Sequence, residues 1–274
     1  MEPIPPPSHE AKPIARWRWW IHLILITAYM SALTAVGLAR SESHQPALSH
    51  SASGLVYVCV LELLLFGFVF GMACLASRAS RDDLLLRWRT NVLPVLLGAA
   101  YSVGLRIVVG IATALVAVVL LVTQKVQTLD SLQDFFMKHR PVIESAVDVS
   151  SLRDNPGYFW LTLTIVSFVV AGLREELWRS SFLAGVRALW PRRFGSTFGQ
   201  ICAVFIAAII FGLAHLSMGF LAALLAGVLG LSLGLIMVLH RSIWPAVFAH
   251  GFFDATSMAL IPWAMELMQH LPKH

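Results

Sequence analysis

The sequence predicts an all-α membrane protein: a polytopic helical bundle of about seven transmembrane helices, with an eighth as the upper bound. Three observations predict it. Asp, Glu, Lys and Arg make up 13% of the 274 residues, about half the ~25% of an ordinary soluble domain. Hydrophobic residues reach 58% and the mean hydropathy is +0.75, more apolar surface than a soluble particle of this size can hide. Several separate stretches approach or exceed the ~20 apolar residues that a bilayer crossing requires.

The elements follow in chain order. Residues 1–18 are polar and Pro-rich, and no cleavage site follows a short apolar core, so they read as a cytoplasmic tail and not as a signal peptide. Residues 19–39 carry no Asp, Glu, Lys or Arg, and 54–76 carry only Glu62. Residues 91–124 hold one charge, Arg106, and exceed the length of one span. They suit either a tilted or kinked helix or a short entrant piece before a span. Together, 19–124 form an N-terminal group of helices. Residues 125–157 are the one sizeable polar insertion. Within them Leu129, Leu132, Phe135 and Phe136 recur at helical spacing before Pro141, which suits a surface amphipathic helix as well as a solvated loop. A C-terminal core, 158–265, then holds four apolar stretches: 158–173, 194–214, 216–239 and 242–265. A short tail, 266–274, ends the chain.

The excess of 20 basic over 15 acidic residues fits cytoplasmic loops of a membrane protein. With the N-terminus inside, eleven basic residues fall in inner segments and six in outer ones, as the positive-inside rule requires. No basic run with interleaved aromatics occurs, so nucleic acid is not an expected partner. Cys59, Cys74 and Cys202 lie in apolar stretches without CxxC spacing and read as small hydrophobes. Gly67-x-x-x-Gly71 and Gly230-x-x-x-Gly234 allow close helix contact in lipid.

Charges inside hydrocarbon cost several kcal/mol and mark function by default. The set is small: Glu62, Arg106, the run Arg174-Glu175-Glu176 with Arg179, then His215, His250 and Asp254. Residues 158–189 read as one long helix, on which Arg179 reaches either glutamate at i+4 or i+3. His250 and Asp254 share a face at i, i+4, where a carboxylate fixes an imidazole's tautomer. Glu62 and Arg106 read best as a helix-locking pair, with Glu62 lining the cavity as the alternative. Singly, each group fits a buried ion pair or an interior histidine. Gathered on three apolar helices, they suggest a polar cavity in the bilayer. A glutamate there can act as general base on water, with His215 sharing that water and His250 with Asp254 holding the carbonyl or its oxyanion. The reaction class is peptide hydrolysis. HExxH is absent, but Glu175, His215 and His250 are also a conceivable zinc set; the expectation is no cofactor, with zinc as the alternative. Gly230-Leu231-Ser232-Leu233-Gly234 spells GxSxG inside an apolar span, without the strand-turn-helix context of a nucleophile elbow.

The Glu pair, Phe211-x-x-x-His215 and His250-x-x-x-Asp254, in this order, resemble the CPBP family of CAAX-processing and bacteriocin-processing (Abi) intramembrane proteases. The first motif, EExxxR, is matched in part: Ser180 stands at the Arg position and Arg179 is one residue early. The resemblance covers roughly 158–265. It implies a helical bundle around an intramembrane cavity, Glu175 as the water-activating carboxylate supported by His215, Glu176 shaping the site, and His250 with Asp254 at the oxyanion or positioning water. Relatives that cleave prenylated CAAX tails carry Asn at the last position, and an ionised Asp254 cannot donate to an oxyanion. The implied partners are a peptide or protein substrate, prenylated or not, and membrane lipids; the implied location is a bacterial inner membrane. A non-catalytic immunity or scaffold protein and a transporter or proton relay are the alternative readings.

One tension concerns depth. Counted from the inner ends of their spans, His250 lies about 12 Å in and His215 about 27 Å at 1.5 Å per residue.

Overall fold

The computed structural model describes residues 14–42, 50–88, 91–145 and 147–270. The tail 1–13 with Lys12, Arg89 and residues 271–274 lie outside the described residues. Among the described residues every regular element is helical. The long helices are α1 (Arg16–Glu42), α2 (Ala52–Ser77) and α3 (Leu93–Val122), followed by the short α4 (Leu129–Lys138), α5 (Val149–Asp154) and α6 (Pro156–Leu161). A π-helical segment, Thr162–Arg174, leads into α7 (Glu175–Leu189). After α8 (Pro191–Phe194) come α9 (Thr197–Ala214), α10 (Phe220–His240) and α11 (Trp244–His270).

Six helices are long and apolar enough to cross a membrane, among them the continuous rod Pro156–Leu189 of 34 residues. The stretch expected as a seventh span lies in the 27-residue α11, which is not one of these six. No eighth occurs among the described residues. The chain is an integral multi-pass membrane protein. Large apolar side chains remain exposed all along the outer helices, as at Leu64, Phe68, Leu75 and Val122, because lipid and not protein covers them. The stretch 91–124 is one helix with Pro94 in its first turn, where a missing N–H costs nothing; the entrant piece considered from sequence is not found.

The centre of the bundle is α7. Its buried face includes Trp178, Arg179, Phe182, Leu183, Val186 and Leu189, packed against α1 and α9. Two polar ties fix α1 to this centre. The Trp178 indole donates to the Ile26 carbonyl at 3.0 Å. The fully buried His22 lies between Ser77 of α2 at 2.9 Å and Ser181 of α7 at 2.8 Å. Arg16 and Arg18, at the start of α1, donate to the Leu189 and Ala76 carbonyls at 2.9 and 2.5 Å, capping the C-termini of α7 and α2.

The rod 156–189 is continuous, as its sequence predicts, but its middle is wound wider. The π-helical winding runs over Thr162–Arg174, and within it Ser167 Oγ donates to the Thr162 carbonyl at 2.8 Å. This stretch packs on α11, and Gly172 lets it approach closely: a Cβ there would lie 2.9 Å from the Val247 carbonyl oxygen. The close approach brings the first turn of α7 beside His250.

The insertion 125–157 is ordered where it is described. Thr128 caps α4 through the Ser131 N–H at 3.2 Å, so the amphipathic helix forms at the predicted residues, with no residue buried. The chain then turns inward: Val142 N–H donates to Met218 O at 3.0 Å, and Asp148 accepts from His50 Nδ1 at 2.5 Å.

Candidate functional site

Glu175 and Glu176 open α7, so their side chains diverge by about 100° around the helix. Glu176 is fully buried and forms an ion pair with the equally buried Arg179 one turn on. Its other oxygen accepts from His250 Nδ1 at 3.2 Å. The Arg179 guanidinium lies 4.9 Å from the Phe211 ring centroid. Of the two glutamates that Arg179 could reach by spacing, the structure selects Glu176.

Glu175 faces a cavity of about 500 Å³ instead. One of its oxygens accepts from Arg174 Nη2 at 2.9 Å; the other lies 3.8 Å from His250 Nε2. Asp254 Oδ2 lies 3.6 Å from the same nitrogen. His215 lines the cavity too. Its Nδ1–H donates to the Phe211 carbonyl at 2.8 Å, which in the neutral ring leaves Nε2 unprotonated. The depth tension closes here: the Phe211 ring, one turn before His215, sits 6.4 Å from the His250 ring, so α9 and α11 converge on one level.

Here the structure selects the second of the two readings of Glu62 and adds Tyr29, which the sequence reading left out. Glu62 and Arg106 are not partners. Glu62 lines the cavity and forms an ion pair with Arg174, whose Nη1 also donates to Tyr29 OH at 3.2 Å. Arg106 turns instead to the Ser102 and Phe253 carbonyls, both at 2.9 Å, and to Thr256. Side-chain pairing between spans leaves no trace in residue spacing, though the isolated charge of Glu62 in 54–76 was the available signal. Of the predicted set, Glu175, His215, His250 and Asp254 line the cavity, while Glu176 and Arg179 form a buried support behind it.

Apolar residues complete the walls: Val109, Val166, Leu225, Leu229 and Met258 from the spans, with Pro141, Ile143 and Val147 from the insertion. Among the described residues no group of three or more His, Cys, Asp or Glu side chains is arranged to hold a metal ion. Ser232 donates its hydroxyl to Val228 O within α10 at 3.0 Å and does not line the cavity. The glycines flanking it are packing positions: a Cβ at Gly234 would lie 2.5 Å from Val204, and one at Gly230 2.9 Å from Phe211.

The arrangement combines a carboxylate pinned through one oxygen, an imidazole of fixed tautomer and a second imidazole among three carboxylates. Such a set can take a proton from water and hold charge that develops on a carbonyl oxygen.

Residues 157–256 match the family model of the type II CAAX prenyl endopeptidase, Rce1-like. The match covers the segment whose motifs resemble the CAAX proteases and spans all three motifs, so the C-terminal helices are similar to that family. It supports a CAAX-protease-like intramembrane endopeptidase with a peptide or protein substrate. No curated protein matches the chain, and no solved structure does. Glu62 and Tyr29 lie on helices outside the matched segment.

Proposed function

We propose that the protein is an intramembrane endopeptidase that hydrolyses a peptide bond with water activated by Glu175. The observation that carries this reading is the shared cavity: Glu175, His215, His250 and Asp254, from three helices, line one space within the bundle.

In this mechanism the substrate carbonyl lies between His250 and a water held by Glu175 and His215. Glu175 takes one proton from the water. The hydroxide oxygen bonds to the carbonyl carbon, and the π pair moves to the carbonyl oxygen. His250 in its imidazolium form donates from Nε2 to that oxyanion, its charge balanced by Glu175, Glu176 and Asp254. Asp254 is a positioning residue for His250. When the tetrahedral species collapses, the C–N bond breaks and the protonated Glu175 gives its proton to the leaving amine. Glu176 and Arg179 hold His250 from behind. No step requires a metal. The apolar walls suit a prenylated tail, which we take as the substrate class. The basic residues favour a cytoplasmic N-terminus; the membrane we take to be a bacterial inner membrane.

The test uses full-length protein in proteoliposomes with a farnesylated peptide ending in a CAAX-type tail, and the same peptide without the lipid. Mass spectrometry of the products is expected to show release of the terminal tripeptide from the lipidated peptide. Intact peptide after prolonged incubation with folded protein contradicts the reading.

A further inference from the structure

A second cavity, of about 680 Å³, lies at the opposite end of the bundle from His215. Its walls come from the segment after α2 and the turn between α10 and α11. Backbone-directed bonds hold the two together: Ile243 N–H to Leu85 O at 3.0 Å, Ser242 Oγ–H to Arg87 O at 2.9 Å and the Trp244 indole N–H to Leu86 O at 3.3 Å.

The lining is strongly basic. Arg81, Arg87, Arg241 and His240 surround it, against one carboxylate, Asp82, which Arg87 engages. Arg81 and Arg241 have no ion-pair partner among the described residues. Arg241 sits in the left-handed region, φ 48°, at the end of α10. Beside the cations the surface is apolar: Leu239 is 72% and Trp88 44% exposed. Trp88 stands edge-on against Trp244 with ring centroids 4.9 Å apart, the aromatic anchoring found at headgroup depth. Two unpartnered guanidiniums next to exposed apolar side chains, at the end of spanning helices, match a ligand with an anionic head and acyl tails.

We propose that this cavity is a binding site for an anionic phospholipid, its phosphate held by Arg81 and Arg241 and its chains against Leu239 and Trp88. The site is independent of proteolysis. Inorganic phosphate offers the same head chemistry without tails, and the test separates the two.

Full-length protein, delipidated in detergent, is titrated with phosphatidylglycerol or phosphatidylcholine and bound lipid is counted by native mass spectrometry. Phosphatidylglycerol is expected to bind in preference, and Arg81→Gln with Arg241→Gln to weaken it roughly 30-fold. Arg192→Gln with Arg193→Gln, at the exposed pair on α8, is expected to change nothing; Arg81→Gln alone repeats the test should the double variant lose its fold. Equal binding of both lipids, unaltered binding in the Arg81 and Arg241 variants, or an equal loss in the α8 control overturns the proposal. Displacement of the lipid by inorganic phosphate at matched concentration assigns the site to free phosphate and overturns it as well.

Discussion

Arg179→Met probes the support behind the cavity. Arg179 and Glu176 are both 0% exposed and paired with each other. Removing the guanidinium leaves the Glu176 carboxylate buried with one remaining partner, His250 Nδ1 at 3.2 Å. Breaking one side of a buried pair costs about 3–5 kcal/mol, most of it from the charge left behind. For a chain of this size that corresponds to a fall in Tm on the order of 10 °C. Adding Glu176→Gln removes the stranded charge, yet its amide oxygen still accepts from His250. Arg179 also leaves Nε and Nη2 without a hydrogen-bond partner, so little is lost with it once Glu176 is neutral. The double variant is therefore expected to return to within about 1 kcal/mol of the native protein, since neutral replacements of buried ion pairs are commonly tolerated. Thermal unfolding in detergent, followed by intrinsic fluorescence, measures all three. A single Arg179→Met that unfolds within 2 °C of native (about 1 kcal/mol or less), or a double variant that loses the sum of the two singles, refutes the reasoning.

Other expectations follow from the packing, the insertion and the motif at Ser232. Gly251→Leu is expected to destabilise by about 1–3 kcal/mol, because a Cβ there would lie 2.3 Å from the Phe168 ring; Phe168→Leu should restore part of the loss, and an unchanged Tm would contradict the close approach. Partial burial raises the Asp148 carboxyl, but hydrogen bonds from Ser150, His50 and Ser151 outweigh it and hold the group well below the usual carboxylate range. The resulting stabilisation is complete above the unfolded value of about 4 and is lost as pH falls below it. Protection factors in 147–152 should drop as pH falls from about 4 to about 2, and Asp148→Asn should abolish that dependence; protection that holds at low pH argues otherwise. Ser232→Ala should leave cleavage unchanged, and loss of activity in that variant alone would point to Ser232 as the nucleophile.

Much of this architecture was legible in the sequence because hydropathy and charge scarcity respond directly to the bilayer. Six of the seven expected spans appear where hydropathy placed them, and of the two readings of residues 129–136 the helix is the one that forms. The site was legible as a set of residue types and illegible as a set of partners. The Arg179 spacing allowed Glu175 and Glu176 equally; burial on the α7 core face decided for Glu176. Glu62 meets Arg174 because α2 packs beside the π-helical segment, a contact between residues 112 positions apart. The π winding itself has no periodicity signature, since its residues are apolar around most of the circumference. The insertion's role as a cavity wall was hidden because Pro141, Ile143 and Val147 reach the cavity by a chain turn and not by a helical face.

The most direct measurement of the central claim is the turnover of Glu175→Gln in proteoliposomes on the farnesylated peptide, beside its thermal unfolding and KM. The amide keeps the shape and the contact with Arg174 but cannot take a proton. The account predicts a kcat lowered at least ~10³-fold, on the scale of a lost general base, with KM within about threefold and folding preserved. A Glu175→Gln protein that turns over at the native rate contradicts it.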